Sequence, residues 1–181
     1  MYYVFLAQGF EETEALAPLD IIRRAEEEFY TVGVGGKVIT SCHNIPVVAD
    51  VMDCEISPDK DCQGIILPGG MPGTLNLEKS TVVQQFIDYC VENNLLIGAI
   101  CAAPSILGHK GLLEGKKAVC FPGFEEQLLG AEVLNEATVT DGNIITACGA
   151  GAALKFGFEI VKYIQSEASA KHFEKAMLCD R

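Results

Sequence analysis

The chain has 181 residues, of which 49% are hydrophobic and 21% charged. That is enough apolar side chain for a buried core and too little charge for a disordered segment. Thirteen Lys and Arg against twenty-five Asp and Glu leave a net charge of −12. Such a surface repels phosphate backbones, and the basic pairs Arg23-Arg24 and Lys116-Lys117 form no patch, which argues against nucleic acid as a partner.

In chain order, Tyr2 to Ala7 reads as a buried strand rather than a leader peptide, since no basic segment precedes it. The turn Gln8-Gly9-Phe10 leads to Glu11-Glu12-Thr13-Glu14 and a helical pattern through Leu16, Leu19 and Ile22 that ends at Arg23-Arg24. Acidic residues in the first turn and basic ones in the last suit the helix dipole. Tyr30 to Val34, Val38 to Ser41 and Val47 to Ala49 read as short strands. Gly64 to Leu67 is a second buried strand that stops at Pro68-Gly69-Gly70. Ser80 N-caps a helix through Val83, Phe86, Ile87, Cys90 and Val91, ended by Asn93-Asn94.

A third buried strand, Leu95 to Ile100, runs into Cys101-Ala102-Ala103-Pro104 and a helix over Ser105 to His109. Leu95 to Ala103 is also the longest apolar run, well short of the roughly 18 residues of a membrane span. Ala118 to Phe121 reads as a short strand and Phe124 to Leu129 as a helix. Ala137 to Thr140 and Ile144 to Ala147 flank the hairpin signal Asp141-Gly142-Asn143. Gly149-Ala150-Gly151 opens a long helix through Phe156, Ile160 and Ile164, and a last helix runs from Glu167 to about Met177. Buried strands alternating with helices predict a parallel sheet covered on both faces, in one domain over residues 1–181, with no repeat or linker.

The eight cysteines follow no zinc-site spacing, and His43, His109 and His172 are scattered, so no metal is expected. A chain this long does not need disulfides, and the thiols are expected to be reduced, in the cytoplasm. In open α/β sheets, ligands bind at the carboxyl edge of the strands. Three segments reach that edge. Cys101 follows a buried strand and precedes small residues and a helix, a turn that exposes a nucleophile; the helix N-terminus would lower its pKa. Taken alone it reads first as a buried structural cysteine, the usual fate of Cys. Glu14 taken alone is a solvated first-turn acid. Pro68-Gly69-Gly70 is either a plain turn or a close backbone approach to a substrate.

Together, Glu11-Glu12-Thr13-Glu14, Leu67-Pro68-Gly69-Gly70 and Ala99-Ile100-Cys101-Ala102-Ala103-Pro104 resemble the ThiJ/PfpI superfamily. Within it the chain is similar to the branch of the Parkinson-disease protein deglycase and its bacterial relatives. Pro18 to Arg24 and the Asp141-Gly142-Asn143 hairpin extend the resemblance over nearly the whole chain. It implies a flavodoxin-like three-layer sandwich and a homodimer. It also implies Cys101 as the reactive thiol, Glu14 as a protonated carboxyl bonded to it, and an oxyanion site from the N–H groups of Gly70 and Ala102. The implied function is a cofactor-independent glyoxalase or deglycase acting on 2-oxoaldehydes such as methylglyoxal, with Glu14 as proton shuttle. The alternative is a sensor of peroxide or a stress-response chaperone acting through oxidation of Cys101. An old association with thiazole metabolism finds no phosphate-binding glycine loop.

The chain departs from the pattern at Phe121, where many members carry His. Acid–base work then falls to Glu14 alone. Ala102 stands where the protease branch carries His. His172-Phe173-Glu174 matches the His-x-Glu of the amidotransferases but reads as a solvated helix face. Cys120 is either a core cysteine or a resolving thiol for Cys101. Arg24 either approaches a dimer neighbour's site or pairs with Glu27 or Glu28 on the surface.

Overall fold

The computed structural model describes residues 1–179. Its strands are β1 (Tyr2–Leu6), β2 (Phe29–Gly33), β3 (Val38–Thr40), β4 (Pro46–Val48), β5 (Val51–Met52), β6 (Gly64–Leu67), β7 (Leu96–Ile100), β8 (Lys117–Ala118), β9 (Glu132–Val133), β10 (Thr138–Asp141) and β11 (Ile144–Ala147). Its helices are α1 (Glu12–Arg24), α2 (Gly73–Lys79), α3 (Thr81–Glu92), α4 (Pro104–His109), α5 (Ala153–Ile164) and α6 (Glu167–Ala176). Seven strands form one sheet in the order β10-β11-β7-β6-β1-β2-β5. Every pairing is parallel except β10 with β11, the hairpin predicted at Asp141-Gly142-Asn143.

The strands feed two cores because successive side chains point to opposite faces. Tyr2, Val4 and Leu6 of β1 pack with Ile21, Ile22, Phe156, Ile160 and Ala170 of α1, α5 and α6. Tyr3, Phe5 and Ala7 pack on the other face with Leu77, Phe86, Ile87, Ile106 and Leu107 of α2, α3 and α4. The result is an α/β sandwich with a seven-stranded, mostly parallel sheet between two helical layers. Gly157 sets the spacing of one layer. A Cβ there would lie 2.7 Å from Ile21 Cδ1 and 3.0 Å from Pro18 Cα, so only glycine lets α5 lie this close to α1. No described helix is long and apolar enough to cross a membrane.

Several expectations fail locally. Phe124 to Leu129 is not a helix; only a single 3-10 turn, Glu125–Gln127, forms between Pro122-Gly123 and Gly130. The strand expected to Phe121 stops at Ala118, and it pairs with β9 outside the main sheet. Helix α2 has no counterpart in the sequence reading. Its seven residues are too few to show periodicity, and it abuts α3 through Ser80, which caps α3 by accepting from the Val83 N–H. Arg24 pairs with neither Glu27 nor Glu28. Its Nε lies 2.8 Å from Asp20 Oδ2, one helical turn back, a geometry that needs no loop.

Candidate active site

β7 ends at Ile100, and the chain turns so sharply that Cys101 adopts φ +65°, the left-handed region that side chains avoid. A strain of about 1–3 kcal/mol persists only where the surroundings fix the backbone. Here the Cys101 N–H donates to the Ala147 carbonyl of β11 at 2.9 Å, and its own carbonyl accepts from the Phe121 N–H at 2.8 Å. Ala102 and Ala103 follow, both buried, and the Ser105 hydroxyl donates to the Ala102 carbonyl at 2.7 Å. The turn thus leaves the thiol half-buried, at the carboxyl edge of the sheet.

Glu14 comes to the same place from α1. Glu11 is the N-cap, and its carboxylate accepts from the Glu14 N–H at 2.8 Å. The Glu14 side chain is only 1% exposed, so it is not the solvated first-turn acid that its position suggests. Its Oε2 accepts from the Gly69 N–H at 3.0 Å, and Cys101 and Ala150 stand beside the carboxyl, each favouring its ionised form. The Pro68-Gly69-Gly70 turn is where β6 meets this pair. A Cβ on Gly69 would stand 2.6 Å from Glu14 Oε2 and 2.7 Å from Cys101 Cβ. Gly70, at φ +88°, could carry no Cβ either, because one would lie 2.4 Å from the Glu11 nitrogen. The backbone N–H groups of Gly70 and Ala102, on the two turns that meet here, favour the Cys101 thiolate. All four predicted residues, Cys101, Glu14, Gly70 and Ala102, therefore converge.

Burial drives the electrostatics. It pushes the Glu14 carboxyl up to about 7, with the Glu11 charge adding to it and the Cys101, Gly69 and Ala150 hydrogen bonds opposing it. Burial also pushes the Cys101 thiol up to about 12, reinforced by the Glu14 charge and hydrogen bond and opposed by the Ala102 and Gly70 N–H groups. The expected lowering of the thiol's pKa by the following helix is not found. That helix, α4, has six residues and begins only at Pro104, too short and too late to offset a buried carboxylate in contact. The pair is coupled: when Glu14 takes a proton, the charge opposing thiolate formation is gone, and two N–H donors remain to stabilise sulfur anion.

Phe121 is 47% exposed and stands beside Gly149, on the same side as Glu14. Each imidazole is engaged elsewhere: His43 bonds Glu12, His109 bonds Glu78, and His172 lies edge-on to Phe173 on α6, a helix face as predicted. Cys120 is buried in the core opposite to the one Cys101 packs against, and with Cys148 it lines a cavity of about 630 Å³. Burial and the Glu125 charge push its thiol up to about 11. Sequence reasoning missed the N–H groups of Gly69 and Ala150 and the capping role of Glu11. The Pro-Gly-Gly turn and the Glu11-Glu12-Thr13-Glu14 run were the available signals. It also missed that His43 is not isolated but meets Glu12 and Cys42.

Known proteins share this sequence and fold over nearly the whole chain. The pattern of the DJ-1/PfpI family matches residues 2–163. The chain is 32% identical to the Parkinson disease protein 7 homolog of Danio rerio, over 97% of this chain and 95% of that protein. It is 30% identical to protein dj-1beta of Drosophila melanogaster, again over 97% and 95%. The structure of oxidized DJ-1 from Toxoplasma gondii superposes with a TM-score of 0.93 at 27% identity, over 98% of this chain and 97% of that one. On this match over nearly its full length, the chain belongs to the DJ-1/PfpI family.

Proposed function

We propose that the protein is a cofactor-independent glyoxalase, with deglycase activity by the same attack on early glycation adducts, that converts 2-oxoaldehydes such as methylglyoxal to hydroxy acids such as lactate. The observation that carries this reading is the buried Glu14 carboxyl packed beside Cys101, the two so close around Gly69 that a Cβ there would lie 2.6 Å from Glu14 Oε2 and 2.7 Å from Cys101 Cβ. A base held near neutrality beside a nucleophile is poised to move protons both ways.

The sulfur of Cys101 adds to the aldehyde carbon as the Glu14 carboxylate takes the thiol proton and passes it to the carbonyl oxygen. The product is a hemithioacetal. Glu14 then takes the proton from that carbon and returns it to the neighbouring carbon, while the hydroxyl proton passes to the neighbouring carbonyl oxygen. This leaves a lactyl thioester on Cys101. Water hydrolyses the thioester, releasing lactate and the thiol. The Gly70 and Ala102 N–H groups stabilise negative charge near the sulfur in each step.

A second reading is favoured by Phe121, which puts no imidazole beside the pair. Here Cys101 serves as a peroxide sensor. The thiolate attacks a peroxide oxygen, the O–O bond breaks, and sulfenate and water form; a second peroxide gives sulfinate, to which protonated Glu14 donates a hydrogen bond. The oxidized state named for the Toxoplasma gondii relative is in line with this. One experiment decides. Freshly reduced protein is incubated with methylglyoxal and lactate is quantified, with Cys101→Ser alongside. Lactate from the wild type alone supports the enzyme. No lactate from either, with the thiol still reactive, supports the sensor.

A further inference from the structure

We propose that Glu12, Cys42 and His43 form a binding site for a zinc-class divalent cation, on the outer side of the first turn of α1. The three residues are not recognisable as a site in sequence, because thirty residues separate Glu12 from Cys42. The fold closes that gap. β3 and β4 make a hairpin whose tip carries Cys42 and His43, and the Cys42 N–H donates to the Phe10 carbonyl at 2.8 Å, two residues before Glu12. The buried Ser41 hydroxyl accepts from the His43 N–H at 3.3 Å and the Ile45 N–H at 3.1 Å, and Asn44 turns the tip at φ +65°. The ligating atoms are thus held on two backbone segments that are bonded to each other.

Their geometry suits four-coordination. Cys42 Sγ lies 3.4 Å from His43 Nδ1 and 3.9 Å from Glu12 Oε2, and His43 Nδ1 lies 2.8 Å from Glu12 Oε1. Tetrahedral bonds of roughly 2.0–2.3 Å put neighbouring ligand atoms about 3.4–3.6 Å apart. One ligand atom from each residue already lies within 4.8 Å of the other two, so side-chain movement alone closes the site, and His43, 66% exposed, is free to make its share. Thiolate, imidazole and carboxylate together are a zinc set rather than a calcium or magnesium set. Glu11 Oε1, 3.9 Å from the same imidazole nitrogen, adds negative charge beside the fourth position. Binding forms a metal–sulfur bond and releases the Cys42 thiol proton to solvent; no electrons are transferred.

The test is a cobalt(II) titration of the reduced full chain, followed by displacement with zinc(II) against a chromophoric chelator. One equivalent of cobalt is expected to give a thiolate-to-cobalt charge-transfer band and the d–d bands of a four-coordinate ion. Cys42→Ser should abolish the charge-transfer band. His43→Gln, at an exposed position that does not threaten folding, should weaken zinc binding by about 100-fold or more, since loss of even an outer-shell partner costs 10–100-fold. Cys101→Ser should change neither reading. Three results overturn the proposal: no thiolate band in the wild type, a band that survives Cys42→Ser and is lost in Cys101→Ser, or unchanged zinc affinity in His43→Gln.

Discussion

Glu12 and Glu14 stand two residues apart on the same helical turn, each beside a cysteine, yet they are displaced in opposite directions. Glu14 points inward, is almost fully buried, and is pushed up to about 7. Glu12 points outward, and although burial opposes it, its backbone N–H, Ser41 and His43 hold it below the usual carboxylate range. The difference teaches that position at a helix N-terminus does not set a carboxyl's chemistry. Water access and the neighbour's ability to donate do.

The largest expected effect comes from the inward pair. Cys101→Ser should leave the fold intact and remove lactate formation altogether, measured as lactate per methylglyoxal consumed. Glu14→Gln keeps a hydrogen-bonding group but cannot carry the proton, so turnover should fall by about 10²–10⁴-fold. An unchanged rate would remove Glu14 from the acid–base role. Gly69→Ala forces a methyl against both residues of the pair and should cost about 1–3 kcal/mol in denaturant unfolding, with loss of activity.

Stability against pH sharpens the comparison further. The folded Glu14 carboxyl titrates above its ordinary value of 4.5, so its contribution is fully present below that value and is lost as pH rises through about 7. The wild type should lose up to about 3 kcal/mol over that interval, and Glu14→Gln should flatten the slope. Glu12 has the opposite sign: its lowered pKa contributes stability above its ordinary value that is lost on acidification. Because its His43 partner is exposed, Glu12→Gln should cost less than about 1 kcal/mol at neutral pH and leave turnover nearly unchanged.

Much of the inward site was legible because each part follows a buried strand. β1, β6 and β7 are unmistakable apolar runs; Gly70 and Cys101 lie just past the ends of β6 and β7, and Glu14 is in the first turn of the helix that follows β1. Periodicity could not tell that Glu14 would be buried, because an acidic first turn looks the same whether it faces water or a thiol. Nor could it give the direction of the Cys101 shift, which depends on contact with that carboxylate. The outward cluster was illegible for a different reason: β3 and β4 are three residues each, and their hairpin alone brings Cys42 to Glu12. Phe124 to Leu129 shows the converse, an apolar-flanked segment too short between glycines to sustain a helix.

The close crossing of α1 and α5 at Gly157 has a mechanical consequence for the thiol. Pro18, which Gly157 touches, lies one helical turn beyond Glu14, and having no N–H it leaves the Glu14 carbonyl without its usual helical donor. The helix is therefore softest between its crossing point and its reactive carboxyl. Seating depth at Gly157 acts as a lever. A side chain added there, remote from any substrate, would tilt the first turn of α1 and change how firmly Glu14 presses on Cys101.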